Sequence, residues 1–171
     1  MKKTIAIAGA TGFIGQWFIE KYKHEYNIIA LSRNKIKYPD STDVNWKQVD
    51  LYSISSTTDA LKGADIAIYL VHSMMPSTRL NQGDFEDTDI LLADNFSRAA
   101  LDCNLKQIIY VGGILPKDDH TISNHLKSRY EVEKTLGSRN TPLTSIRAGI
   151  IIGPNGSSFR IVQQLVKNLP I

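Results

Sequence analysis

Thr4-Ile-Ala-Ile-Ala-Gly-Ala-Thr-Gly-Phe-Ile-Gly15 is the stretch of this 171-residue chain that decides its fold. The short apolar run from Ile5 to Ala8 predicts a buried strand, and glycines at every third position follow it. Residues 16–23 then have the pattern of a helix. A strand, a glycine-rich turn and a helix in this order form the dinucleotide-binding turn, here with the spacing Gly-x-x-Gly-x-x-Gly.

Each glycine of this turn has its own expected role. Gly9 permits the tight turn, Gly12 lets the backbone approach a pyrophosphate, and Gly15 lets the helix lie close to the strand. The pyrophosphate is expected on the unpaired N–H groups of the helix N-terminus, where the helix dipole favours negative charge. The turn is therefore predicted to contribute these cofactor contacts: Gly9, Thr11, Gly12, Phe13, Ile14 and Gly15.

A secretory signal peptide is the alternative interpretation of the same residues. Met1-Lys2-Lys3 resembles a charged leader, and the apolar run follows it. Thr11 and Gly12 interrupt that run early, and no Ala-x-Ala cleavage site follows. Secretion is therefore not predicted, and the single cysteine, Cys103, indicates a reducing cytoplasm.

Composition argues against nucleic-acid binding, membrane spanning and sites that need several cysteines. The chain has 20 basic and 17 acidic residues, and a net charge of +3 is too small to indicate nucleic-acid binding. No apolar segment approaches the roughly 20 residues that a membrane-spanning helix needs. Cys103 is the single cysteine, so a disulfide within the chain and a cysteine zinc site are excluded. We expect Cys103 to be a buried thiol in one domain, residues 1–171.

Strand and helix signals alternate along the chain, which predicts a doubly wound parallel α/β sheet in three layers. A polar loop is expected at Asn34–Asn45. Few residues follow the sixth strand, so we expect the chain to lack a substrate-binding region. Predicted strands are Thr4–Ala8, Asn27–Ser32, Trp46–Val49, Asp65–Val71, Gln107–Val111 and Leu143–Ala148; predicted helices are Phe13–His24, Ser55–Lys62, Phe85–Cys103, Ser123–Leu136 and Ser158–Asn168.

The residue that follows the second strand indicates which cofactor is preferred. An acidic residue there binds ribose hydroxyls, whereas a basic one pairs with the 2′-phosphate of NADP. The strand ends in Ser32-Arg33, with Lys35 nearby. We therefore predict NADP(H) in preference to NAD(H). The alternative is that Arg33 is a solvated surface residue.

Two more strand ends carry candidate contacts. Asp50 could accept a hydrogen bond from the adenine amino group while Leu51 packs on the ring; the alternative is that Asp50 is a loop or cap residue. Val71, His72 and Ser73 leave the fourth strand at the carboxyl edge of the sheet, where ligands bind in such folds. His72 is expected to face the nicotinamide ribose or, alternatively, to cap the next segment.

Together these motifs resemble the atypical short-chain dehydrogenases/reductases of the Rossmann fold. Within them the chain is most similar to NmrA-like proteins and to the NAD(P)H-binding accessory subunit of respiratory complex I. The resemblance covers essentially the whole chain. It also implies that the chain is truncated, and that long helices could pair two copies into a homodimer. The motifs that carry the resemblance are Gly9–Gly15, Arg33, Asp50-Leu51, Tyr69–Met74, Tyr110–Gly113 and Arg147–Pro154.

Catalytic members of the superfamily use a Ser or Thr after strand five and a Tyr-x-x-x-Lys on the next helix. This chain has Gly112-Gly113 after strand five, without a hydroxyl. Aligning the family pattern Tyr-x-x-Ser-Lys-x-x-x-Glu places His125 on the tyrosine and Arg129 on the lysine, while Ser128 and Glu133 match. Tyr130 and Lys134 match Tyr-x-x-x-Lys literally. However, a helix turns about 100° per residue, so Tyr130 lies about 140° around from His125.

In this register His125 is the candidate acid/base, because a histidine titrates near neutral pH. Arg129 is expected to hold the ribose or a phosphate, since a guanidinium cannot act as an acid. The alternative is that both residues only line the cofactor pocket. The resemblance also implies contacts from Gly112 and from the backbone around Ile151. His120 and His125 lack an evident third ligand, so no metal site is predicted.

The leading hypothesis is an NAD(P)H-dependent oxidoreductase acting on a small carbonyl or quinone-like molecule. A non-catalytic module that senses NADP(H) or supports a partner is the second hypothesis, favoured by the missing serine and tyrosine. A nucleotide-sugar epimerase or dehydratase is a weaker third, because those enzymes also need the tyrosine.

Overall fold

A computed structural model describes residues 2–34, 43–72, 85–115, 123–153 and 156–168. Strands and helices alternate through these residues as the sequence predicts. The elements are β1 (Thr4–Ala8), α1 (Phe13–Tyr22), β2 (Asn27–Ser32), β3 (Val44–Gln48), α2 (Ile54–Leu61), β4 (Ile66–Tyr69), α3 (Phe85–Asp102), β5 (Gln107–Gly113), α4 (Asn124–Leu136), β6 (Leu143–Ala148) and α5 (Ser157–Asn168).

All six strands form one parallel sheet in the order β3-β2-β1-β4-β5-β6. Ala8 at the end of β1 pairs with Leu31 on one side and with Tyr69 on the other. The chain winds outward from β1 to β3, then returns to the middle and winds outward from β4 to β6. This arrangement confirms the predicted doubly wound fold. Its crevice opens at the carboxyl ends of β1 and β4, where the winding reverses.

Side chains point alternately to the two sides of β1, so this strand contributes to two different cores, one on each face of the sheet. Ala6 and Ala8 face the core that also contains Tyr69, Phe96 and Tyr110. Their small side chains leave room for these rings, and Phe96 packs edge-on to Tyr69 with 4.9 Å between centroids. On the other face, Ile19 of α1 shares a core with isoleucines of the strands: Ile5, Ile7, Ile28 and Ile68.

The strand bounds differ from the predictions at three places. β3 begins at Val44, inside the predicted loop, because buried Val44 pairs with Ile28 of β2. β4 is shorter and ends at Tyr69. β5 continues through Gly113, which pairs with Ala148 of β6. Within the residues that the structure describes, no helix combines the length and apolar character that crossing a membrane requires.

Candidate cofactor and active site

The glycine turn packs so tightly that side chains are excluded at two of its positions. Gly9 has a φ of +86°, a left-handed conformation, and a Cβ there would lie 3.1 Å from the carbonyl carbon of Leu70. At Gly15 a Cβ would lie 2.6 Å from the carbonyl oxygen of Gly9 and 2.8 Å from Cα of Ala10. The first turn of α1 therefore rests directly on the backbone that leaves β1.

The N-terminus of α1 has the properties of an anion site. Gly12 is the N-cap, no side chain caps the helix, and the first turn contains no acidic residue. The N–H of Gly12 donates to the carbonyl oxygen of Gly9 (3.0 Å), which closes the turn. The positive end of the helix dipole is thus not offset locally, and an anion placed there is stabilised.

The described residues that follow β2 and β3 lie on one side of the crevice. Ser32 Oγ accepts a hydrogen bond from the backbone N–H of Asn34 (3.2 Å), and the amide of Gln48 donates to the carbonyl oxygen of Arg33 (3.3 Å). The Arg33 residue itself is exposed. Asp50 Oδ1 accepts from the N–H of Tyr52 (3.1 Å), so one oxygen of this carboxylate serves the loop. These residues lie along the carboxyl edge, at the β2–β3 end.

A cleft of about 430 Å³ lies on the other side of the crevice, over the carboxyl ends of β4, β5 and β6. Six of the predicted site residues line it: Ile14, His72, Gly112, His125, Arg129 and Ile151. Among the described residues, the lining contains no carboxylate. The other lining residues were not predicted as cofactor or catalytic contacts, and they are apolar or glycine residues at strand ends or beside His125: Leu70, Val111, Gly113, Ile114, Leu126, Ala148 and Gly149.

Helix α4 presents His125 and Arg129 to this cleft, one helical turn apart. Tyr130 is not among the lining residues. Its ring lies 4.8 Å from Lys134 Nζ and 6.0 Å from the Arg147 guanidinium, so it faces β6. The tyrosine–lysine pair that matches the literal motif therefore lies outside the cleft.

The backbone of α4 at Arg129 is tied to the sheet. The hydroxyl of Tyr110 on β5 donates to the carbonyl oxygen of Arg129 (3.2 Å). Burial raises the pKa of Tyr110, which keeps this donor protonated. Desolvation in the cleft lowers the pKa of His72, and the positive charge of Arg129 lowers it further. An added positive charge is therefore disfavoured at His72.

The remaining predicted contacts have different surroundings. Val71 and Leu51 are partly buried and pack against the core on the Phe96 face. Thr11 is exposed in the glycine turn. The ring of Phe13 fills the space where Gly153, after β6, would carry a Cβ, so it joins the turn to the loop that contains Ile151. Ser73, Lys35 and His120 lie outside the described residues.

Glu133 stabilises the outer side of α4. Its carboxylate accepts hydrogen bonds from Arg147 (2.8 Å) and from Ser145 Oγ (2.7 Å), and the bond from Arg147 is the main cause of its lowered pKa. A carboxyl group with a lowered folded-state pKa stabilises the fold above its unfolded-state pKa. That contribution is lost as the pH falls below the ordinary glutamate value of 4.5 and through the lowered pKa.

Glu133→Gln is therefore expected to lower the free energy of unfolding by about 1 kcal/mol at pH 7, because Arg147 is partly exposed. The variant should lose less stability than the parent between pH 6 and about pH 3. Urea unfolding at several pH values measures both effects, and Glu131→Gln on the same helix is the control. Identical pH profiles for Glu133→Gln and the parent would contradict this role.

The sequence also matches a known family. The model of the NmrA-like family matches residues 1–168, almost the entire chain. The chain belongs to the NmrA-like family. This confirms the resemblance predicted from the motifs. The NmrA-like chain is 29% identical over 150 residues to auxiliary protein GraX of Staphylococcus aureus, a match that covers 84% of the chain and 43% of GraX.

Solved structures share the fold of this NmrA-like chain. The Bordetella bronchiseptica enzyme WbmH, in complex with NAD+, has a TM-score of 0.76 at 16% identity, covering 98% of the chain and 63% of WbmH. UDP-N-acetylglucosamine 4-epimerase of Bacillus cereus has a TM-score of 0.65 at 21% identity, covering 85% and 53%. The chain spans less than two thirds of each of these three proteins.

Proposed function

We propose that this NmrA-like chain binds NADP(H) in preference to NAD(H) and acts as an oxidoreductase on a small carbonyl or quinone-like molecule. One observation carries this proposal. The uncapped N-terminus of α1, which follows the glycine turn, meets the cleft with His125 and Arg129 at the point of the sheet where the winding reverses. Ligands of open α/β sheets bind at this point.

The residues present fit a dinucleotide along the carboxyl edge. Gly9 and Gly15 leave no space for side chains, and Gly12 at the uncapped helix end leaves the N–H groups open to a pyrophosphate. Arg33 and Asp50 at the β2–β3 end would hold the adenosine half. The cleft at β4–β6 would hold the nicotinamide half, which supplies or accepts a hydride when bound.

Within the cleft, His125 and Arg129 have complementary tasks. The imidazole of His125 can donate a proton to a substrate oxygen and recover it from water. The guanidinium of Arg129 stays charged and offers donors to ribose hydroxyls or phosphate oxygens. No described residue pairs with that guanidinium in an ion pair, and the Tyr110 hydrogen bond holds its backbone in place.

Turnover tests this function. The protein is incubated with NADPH and with quinones or aldehydes, and oxidation of the nicotinamide is followed by its absorbance. Oxidation that depends on both protein and acceptor supports the proposal. Binding of NADPH without oxidation by any acceptor contradicts the enzymatic part and leaves the binding part intact.

Cofactor choice is tested by Arg33→Glu. Because a charged side chain that pairs with phosphate contributes about 1.5–3 kcal/mol, we expect NADPH to bind at least about tenfold more weakly. NADH, which lacks the 2′-phosphate, should bind with nearly unchanged affinity. Lys3→Glu makes the same charge change at the start of β1, away from the carboxyl edge, and is the control. Equal losses of NADPH affinity in the two variants would contradict the assignment of Arg33 as the contact to the 2′-phosphate.

A non-catalytic cofactor-binding module is the second candidate. A Cβ at Gly112 would lie 2.9 Å from Cε1 of the buried Tyr110 ring, so this strand end has no room for a catalytic hydroxyl. The relative GraX is named an auxiliary protein. In this case NADPH binding should persist in the absence of turnover.

A further inference from the structure

A buried asparagine of α3 holds the loop that follows β3. Asn95 is 5% exposed, and its Nδ2 donates to the carbonyl oxygens of both Leu51 and Tyr52, at 3.0 Å each. These residues are separated by 44 and 43 positions in the sequence. Helix α3 packs between α2 and α4, so Asn95 connects this loop to the interior of the domain.

Other hydrogen bonds fix the internal shape of this loop and tie Asp50 to α2. The N–H of Asp50 donates to Ser56 Oγ (3.1 Å), and the N–H groups of Tyr52 and Ser53 donate to Oδ1 (3.1 Å) and to the carbonyl oxygen (3.0 Å) of Asp50. These bonds fix Asp50 relative to the loop. The bonds from Asn95 fix the loop relative to the core, since they bind the carbonyl groups that follow Asp50 directly.

We propose that Asn95 is a positioning residue for adenine recognition, acting through the Asp50–Tyr52 loop. The inference rests on the proposed cofactor binding, in which Asp50 accepts a hydrogen bond from the adenine amino group. Asn95 does not itself contact the cofactor in this account. It sets where the Asp50 carboxylate lies, because removal of its amide takes away the two hydrogen bonds that α3 donates to the carbonyl groups following Asp50, so that the loop can shift.

The test is the ratio of two affinities: NADPH against its hypoxanthine analogue, in which the adenine amino group is replaced by oxygen. The unmodified protein should bind NADPH about tenfold more tightly, the effect of one hydrogen bond to a charged acceptor. Asn95→Ala should reduce this ratio to about one. A general loss of stability lowers both affinities together and leaves the ratio unchanged.

Ser97→Ala is the matched control. Ser97 is also a buried polar residue of α3, but its hydroxyl donates to the carbonyl oxygen of Leu136 (3.3 Å), away from the loop. This variant should keep the tenfold ratio. Asn95→Leu approximately keeps the shape and volume of the side chain while removing both donated hydrogen bonds, and it replaces Asn95→Ala if that variant fails to fold.

The outcomes separate the two proposals. If the unmodified protein binds neither dinucleotide, the proposed function is wrong and this inference falls with it. If it binds both equally, or if the Asn95 variants keep the preference for adenine, cofactor binding stands and the role of Asn95 is wrong. Loss of the preference in the Asn95 variants, with retention in Ser97→Ala, supports the inference.

Discussion

Gly15→Ala is expected to lower the free energy of unfolding by about 3 kcal/mol, as overpacking against rigid groups does, and to abolish detectable dinucleotide binding. The new Cβ would lie 2.6 Å from the carbonyl oxygen of Gly9 and 2.8 Å from Cα of Ala10. Both are backbone atoms, so no side chain can rotate to make room. Relief requires α1 to move away from the turn, which displaces the N–H groups proposed to hold the pyrophosphate. Urea unfolding and dinucleotide titration measure the two effects.

Gly149→Ala is the control for the stability measurement. Among the described residues its Cβ would meet only Cδ1 of Ile114, at 3.5 Å, which is an ordinary van der Waals contact. We expect its free energy of unfolding to change by less than about 1 kcal/mol. A Gly15→Ala protein with parental stability and parental NADPH affinity would show that the close packing of α1 on the turn is not needed.

His125→Ala has the second large expected effect, a loss of at least about a hundredfold in turnover, as removal of a general acid produces. His125 lines the cleft, whereas Tyr130 lies outside it, against Lys134 and Arg147. Tyr130→Phe removes the hydroxyl that the literal Tyr-x-x-x-Lys motif would use, and it should leave turnover unchanged. Steady-state rates with saturating NADPH compare the two variants.

The reverse pattern would overturn the assignment of the acid. If Tyr130→Phe abolishes turnover and His125→Ala does not, the tyrosine is the proton donor and the register of α4 in the account is wrong. NADPH affinity is measured alongside, because an altered affinity in His125→Ala would indicate a cofactor contact in place of a proton transfer.

The sequence predicted the sheet well because its signals are local. Apolar runs such as Ile5–Ala8 alternate with amphipathic segments, and Gly12 and Gly137 mark helix ends. β3 was less clear: Val44 is a single apolar residue between Asp43 and Asn45, and its strand position comes from pairing with Ile28. Such pairing depends on the neighbouring strand and is not visible in a local pattern.

The candidate site was predictable where one helix or one strand end determines it. The spacing of His125 and Arg129 alone predicts that both face one side of α4. The other cleft residues were not found, because glycine and apolar residues at strand ends resemble ordinary core. Asn95 was also missed, although an amide within the apolar face of α3 that contains Leu92, Phe96 and Ala99 is a detectable signal. Its partners, 43 and 44 residues away, are known only from the fold.

Separate calorimetric titrations of the unmodified protein with NADPH and with NADH test whether the glycine turn and Arg33 form an NADP(H) site. We expect binding at one site, with NADPH at least about tenfold tighter than NADH, the contribution of one charge-assisted contact to the 2′-phosphate. Equal affinities would contradict the role of Arg33. The absence of binding for both dinucleotides would contradict the account as a whole.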